Sequence, residues 1–247
     1  MSFDYHSVAG DYQYRALHSG HPMQRFWHRG KLTMIDRLLR PHLSAGSRIL
    51  EVGCGAGNLL LQATVAGSYP IALDLSMQAL TFVRSRLQEA KAGEEAPDGF
   101  TCMQAIGECL PLQNNSFDCD ILSEVIEHLE VPQISIRVAT RVLRPGGRLL
   151  ITTPNYRSFW PIMEWTVDRL NMAPKMAGEQ HISRFAPASL KNLLIESGLK
   201  IEYAGSIYAL SPFISLMSAE RGNRQLQREL DGRSAYGMIL VAVAVKP

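Results

Sequence analysis

The stretch from Arg48 to Asn58, RILEVGCGAGN, constrains the fold more than any other part of this chain. Arg48–Val52 is short, apolar and β-branched enough to predict a buried parallel strand. Gly53, Gly55 and Gly57 then fall on alternate positions. There the backbone can turn sharply and approach a ligand more closely than any Cβ would allow. The run Asn58 to Ala66, NLLLQATVA, reads as a helix, so the turn is expected to aim backbone N–H groups at a ligand over the strand end.

Nicotinamide and flavin enzymes use a similar strand, turn and helix, with G-x-G-x-x-G spacing. The spacing here is G-x-G-x-G, preceded by Glu51, and a second strand, Pro70 to Leu75, carries Asp74 where an acid can hold ribose hydroxyls. On these residues the chain resembles the class I S-adenosylmethionine-dependent methyltransferases, with its nearest likeness among bacterial small-molecule enzymes. The likeness runs from Ser44 to Lys246 and is strongest from Ile49 to Asn155. It implies an α/β fold: a seven-stranded, mostly parallel Rossmann-like sheet with helices on both faces and an antiparallel last strand. It also implies an N-terminal helical lid over residues 1–43 and a methyltransferase domain over residues 44–247. An insertion over residues 156–180 follows the fifth strand.

The cofactor implied is S-adenosyl-L-methionine. By the same resemblance, Glu51 and the turn Gly53, Cys54, Gly55, Gly57 and Asn58 hold its methionine end and ribose, and Asp74 accepts from the ribose hydroxyls. Leu75 and Ile106 sandwich the adenine, with Gly107 and Glu108 beside it. The acid that usually receives the adenine amino group is replaced by Ile106, so backbone and apolar contacts are expected to take over. Ser123 lies at the strand end near the methyl group. Arg25, with Arg29 as a second candidate, is placed to meet the methionine carboxylate, since a guanidinium suits bidentate carboxylate binding. Two solvated arginines are the plainer reading.

For the acceptor, Glu124, His128 and His181 are the candidates for proton removal, because histidine titrates near neutral pH and ligands of open α/β sheets bind at carboxyl strand ends. A small-molecule acceptor methylated at oxygen is the favoured function. Glu124, Glu127 and His128 form E-x-x-E-H, which on a helix would share one face and, with His181, could ligate a divalent ion. Metal-free proximity catalysis is preferred, so no metal is assigned. The rivals are a metal-assisted RNA 2′-O-methyltransferase, a nicotinamide oxidoreductase, and a non-catalytic S-adenosylmethionine-binding module.

Composition narrows these. A net charge of +2, without a lysine and arginine block, disfavours nucleic acid as partner. At 247 residues and 46% hydrophobic content the chain can bury one large core. Cys54, Cys102, Cys109 and Cys119 lack zinc-site spacing and read as buried reduced thiols. The polar start lacks an apolar leader and no run reaches a membrane span, which predicts a cytoplasmic protein.

Helices are expected over Met23–Arg40, Met77–Lys91, Pro132–Leu143 and Pro187–Ser197. Strands are expected over Phe100–Ala105, Phe117–Leu122, Leu149–Thr153, Lys200–Ala204 and Gly237–Val245. The insertion, with Phe159, Trp160, Met163, Trp165, Met172 and Met176, reads as an adaptable apolar wall for an acceptor or as a small satellite core. Ser211 to Arg233 reads as one capping helix, with lipid contact at its apolar start the alternative. Oligomeric state is not legible.

Overall fold

In the computed structural model, residues 9–92, 96–169, 181–232 and 234–247 are described. The elements run α1 (Tyr12–His18), α2 (Pro22–Leu38), β1 (Arg48–Val52), α3 (Asn58–Ala63), β2 (Tyr69–Asp74), α4 (Met77–Ala90), β3 (Thr101–Gln104) and β4 (Phe117–Ser123). There follow α5 (Pro132–Val142), β5 (Leu143–Pro154), α6 (Trp160–Arg169), α7 (Pro187–Glu196), β6 (Lys200–Ile207), α8 (Ser211–Met217), α9 (Ala219–Gly232) and β7 (Ile239–Val245). The strands form one sheet in the order β3-β2-β1-β4-β5-β7-β6, with β7 antiparallel to both of its neighbours. The order reverses at β1 and β4, so their carboxyl ends flank the crevice in which a doubly wound sheet binds its ligand.

The central strands are apolar on both faces because helices cover both. Ile49, Ala72, Cys119 and Ile121 pack beneath α2, α3 and α4, whereas Leu50, Leu122, Leu149 and Ile151 meet α5 and α7. α4 begins where Ser76 Oγ accepts from the Ala79 N–H, and it buries Leu80, Val83 and Leu87 on one stripe. Cys54 and Cys119 are buried, but Cys102 is only half-buried and Cys109 is exposed, so the expectation of four buried thiols is corrected for these two. No helix among the described residues is long and apolar enough to cross a membrane.

Three further expectations change. β5 begins at Leu143 and extends through the whole Arg144-Pro-Gly-Gly-Arg turn, because Leu143 already pairs with Phe117. Ser211–Arg233 is two helices broken at Ser218, whose φ of −159° and ψ of 118° are extended. They are locked together by Glu229, whose carboxylate accepts from the N–H groups of residues 208–211 and the Ser211 hydroxyl at 2.7–3.2 Å. The E-x-x-E-H segment is not α-helical. Glu124 is left-handed at φ 56°, only a single 3-10 turn spans Ile126–His128, and α5 waits for Pro132. Of the insertion, α6 is described: Trp160 and Met163 pack on the main core while Phe159 and Trp165 are exposed. Met172 and Met176 lie outside the described residues.

Candidate functional site

The glycine turn is built by internal bonds. Gly53 and Cys54 both donate to the Leu73 carbonyl, Gly57 donates to the Cys54 carbonyl, and Gly55 donates to Asp74 Oδ2 at 2.8 Å. The N–H cradle expected from the sequence is therefore mostly consumed by the fold, and the glycines serve close packing of the turn against neighbouring side chains. All three glycines have positive φ (72°, 49° and 70°), and a Cβ on them would come within 2.6 Å of Val125, 2.5 Å of Gln13 and 2.9 Å of Val83. The Cys54 thiol is buried and pushed well up by that burial; its N–H donates to the Leu73 carbonyl of β2 and its carbonyl accepts from Gly57.

Asp74 stands at the end of β2, with its second oxygen accepting from the Ser76 N–H at 2.8 Å. Its half-buried carboxylate closes one end of the crevice, 21 positions past Gly53, where a ribose-binding acid belongs. Leu75 is half-buried, and its carbonyl accepts from Gln104 Nε2 at 2.8 Å. Ile106 is 49% exposed just beyond β3, Gly107 lies against Val52, and Glu108 is half-buried.

At the other end, over β1 and β4, lies a small cleft lined by Gln13, His28, Lys31, Glu51, Gly53, Asn58, Leu59 and Ser123. Glu51 is buried, which pushes its carboxyl well up, and it accepts from the Leu60 N–H at 2.9 Å, tying β1 to α3. Ser123 Oγ is 2.8 Å from Thr152 Oγ1. Asn58 donates to the Gln13 carbonyl and accepts from Arg86, whose guanidinium lies over the Tyr14 ring. Arg25 does not line this cleft; its guanidinium donates to the Gly20 carbonyl and braces the turn between α1 and α2, and Arg29 is exposed. The cation that α2 brings to the cleft is Lys31, 7% exposed and 2.7 Å from Glu124. Burial would raise the Glu124 carboxyl, but the charge and hydrogen bond of Lys31 hold it below the ordinary range. Glu124 is thus a poor proton acceptor, against the expectation. His28 is pushed down to about 4 by burial and by Lys31, and is neutral at physiological pH.

A second cluster adjoins Glu124. The loop carrying His181 is strapped down where Ser183 donates to the Glu127 and Leu129 carbonyls. His181 Nδ1 lies 2.6 Å from Glu164 Oε1 and 2.8 Å from the Tyr156 hydroxyl, and its ring faces His128 at 5.3 Å and Trp160 at 6.1 Å. Burial would raise Glu164, but the bond to His181 holds it down. Glu127 is buried and pushed up to about 8, first by that burial and then by Glu124. Thr153 donates to its Oε2, and its Oε1 has no hydrogen-bond partner among the described residues. One ligand atom each from Glu127, His128 and His181 lie within 4.8 Å of one another. Three groups of the four in the sequence pattern therefore converge, and Glu124 turns away to Lys31.

Gln13, Lys31, Tyr156 and Glu164 were missed from the sequence. Lys31 alone carried a signal, as a cation at helical spacing among Phe26, Met34 and Ile35 on the apolar stripe of α2.

The family described as methyltransferase domain matches residues 50–151. A ubiquinone biosynthesis O-methyltransferase of Xanthomonas euvesicatoria pv. vesicatoria is 30% identical over 168 residues, 66% of this chain and 67% of that protein. One from Xanthomonas axonopodis pv. citri is 29% identical over 182 residues, 72% of each chain. The solved structure of an S-adenosylmethionine-dependent methyltransferase from Mesorhizobium loti shares the fold at a TM-score of 0.60 and 23% identity, covering 88% of this chain and 98% of that one. The positive-φ glycine turn after β1 and the acid at the end of β2 are the elements that the family resemblance assigns to S-adenosylmethionine. The chain is an S-adenosylmethionine-dependent methyltransferase and belongs to the class I family of these enzymes.

Proposed function

We propose that the acceptor is a small molecule methylated at oxygen, lying between the cleft and the His128–His181 pair, with His181 as the base. The observation that carries this is the Glu164–His181 contact of 2.6 Å. A carboxylate on Nδ1 fixes the tautomer in which that nitrogen bears the proton, which leaves the Nε2 lone pair free to take an acceptor proton. Trp160 beside the ring offers an apolar wall to an aromatic acceptor. When bound, S-adenosylmethionine supplies an electrophilic methyl group on a sulfonium that leaves readily. The protein's own share is to hold the acceptor oxygen in line and remove its proton. The name of the relatives, O-methyltransferase, supports oxygen as the site, and the balanced charge of the chain supports a small acceptor over RNA.

A second reading is favoured by the unpartnered Glu127 Oε1 beside His128 and His181, which together suit a divalent cation. One experiment separates the two. Phenols, catechols and amines are offered with S-adenosylmethionine, and products are read by mass spectrometry before and after chelation. Metal-independent formation of methyl ethers, lowered about 10²- to 10⁴-fold in His181→Ala, supports the base. Loss on chelation, with rescue by magnesium, manganese or zinc only while Glu127 and His128 are intact, establishes the metal instead. Methylation of amines alone overturns the oxygen assignment.

A further inference from the structure

Asp74 fixes the direction in which the cofactor must lie. With the ribose at the end of β2, the amino-acid end of the molecule runs along the sheet edge toward β1 and β4, into the cleft bounded by Glu51, Gly53 and Ser123. That end is a zwitterion, one ammonium and one carboxylate on the same carbon. The cleft wall presents Lys31, and next to the lining residue Ser123 stands Glu124, whose Oε1 lies 2.7 Å from Lys31 Nζ.

Neither residue sits there cheaply. Lys31 is 7% exposed on a helix that otherwise buries apolar side chains at this spacing, and lysine is seldom so buried. Glu124 occupies the left-handed region, which a glutamate adopts at a conformational cost, and its N–H is pinned to the Thr152 carbonyl at 2.9 Å. A buried ion pair of this kind is weak evidence for stability, because desolvation offsets most of the attraction. An ammonium with three donors and a carboxylate with four lone-pair sites retain capacity beyond their mutual bond. Arg25, the cation that the sequence suggested for this role, is spent on the Gly20 carbonyl.

We infer that Lys31 and Glu124 form a clamp for the zwitterionic end of the cofactor, Lys31 receiving its carboxylate and Glu124 its ammonium. The inference deepens the cofactor assignment and rests on it. Specificity follows: the clamp rewards an adenosyl ligand that carries both charges and is indifferent to one that carries neither.

Calorimetric titration of the whole chain tests this with three ligands. S-adenosylhomocysteine bears both charged groups, S-adenosyl-3-thiopropylamine lacks only the carboxylate, and 5′-methylthioadenosine lacks both. In Lys31→Met, affinity for S-adenosylhomocysteine should fall about 10- to 100-fold while the other two change less than about twofold. In Glu124→Gln, the two ammonium-bearing ligands should weaken and 5′-methylthioadenosine should not. Arg25→Met should leave all three within about twofold. Since Glu124→Gln leaves the buried Lys31 charge without its partner, the double variant Lys31→Met/Glu124→Gln serves as the folded control, and it should bind the three ligands with nearly equal affinity. Equal loss for all ligands in Lys31→Met, a carboxylate-dependent loss in Arg25→Met, or retained discrimination in the double variant overturns the clamp. Failure of the parent to bind any of the three would instead overturn the cofactor assignment beneath it.

Discussion

Asp74 shapes the glycine turn with one carboxylate, whose oxygens accept from the N–H groups of Gly55 and Ser76 at 2.8 Å, and we propose that the same group accepts from the ribose of the cofactor. Asp74→Ala should therefore lower cofactor affinity by about 1–3 kcal/mol and also lower the melting temperature of the ligand-free protein. Calorimetry and thermal denaturation check the two halves separately, and a variant that binds as tightly as the parent would remove Asp74 from the site. Gly53, Gly55, Gly57 and Asp74 were legible in the sequence because a strand, a turn and a strand end are local patterns. Lys31, Glu164 and Tyr156 were not, since each meets its partner only after the chain has folded back over tens of residues. Arg25 shows the opposite error, a side chain of suitable chemistry drawn off by a carbonyl five residues away.

At the scale of elements, β4 carries a group that no periodicity announces. Asp120 is fully buried in the middle of the strand, paired in register with Leu50 and Leu149, and neither carboxylate oxygen has a hydrogen-bond partner among the described residues. Burial pushes its carboxyl up to about 8. The folded chain keeps that proton over a range in which the unfolded chain, with an aspartate near 3.9, has released it. The stability due to this group is complete below about pH 4 and is lost progressively as the pH rises to about 8. Asp120→Asn should thus raise the denaturation midpoint relative to the parent at pH 8.5, with a gain that shrinks toward pH 5 by about 1.4 kcal/mol per unit. Parallel pH profiles for the two proteins would show that Asp120 finds a partner. The seven strands and most helices were legible from apolar runs, caps and prolines. The E-x-x-E-H segment was not, because a left-handed Glu124 takes the chain out of helical geometry before α5 begins at Pro132.

For the molecule as a whole, α1 and α2 form a cap across the carboxyl edge of the sheet. Gln13 Oε1 accepts from the Ala56 N–H at 3.3 Å, Lys31 reaches Glu124, and Trp27 stacks on Tyr208 at 4.1 Å. Saturating S-adenosylhomocysteine, at about 100 times its dissociation constant, should stabilise the protein by about 2.7 kcal/mol. New protection from amide exchange should appear in α1 and α2 as well as in the glycine turn, and protection confined to the sheet would show that the cap takes no part. The helix α2 was legible from its amphipathic stripe, and the cap only as what the family resemblance implied; its seating was not, because it depends on contacts with three separate loops.

Trp27 and Lys31 lie one turn apart on the same helix, and Trp27 also approaches Trp160, at 5.9 Å, on the wall proposed for the acceptor. A single rigid body therefore closes one compartment while it completes the other. Under the proposed arrangement the two substrates cannot arrive at random: the cofactor enters first, the acceptor finds its wall only once α2 is seated, and S-adenosylhomocysteine departs last. Steady-state kinetics would register this as product inhibition by S-adenosylhomocysteine that is competitive against S-adenosylmethionine and non-competitive against the acceptor.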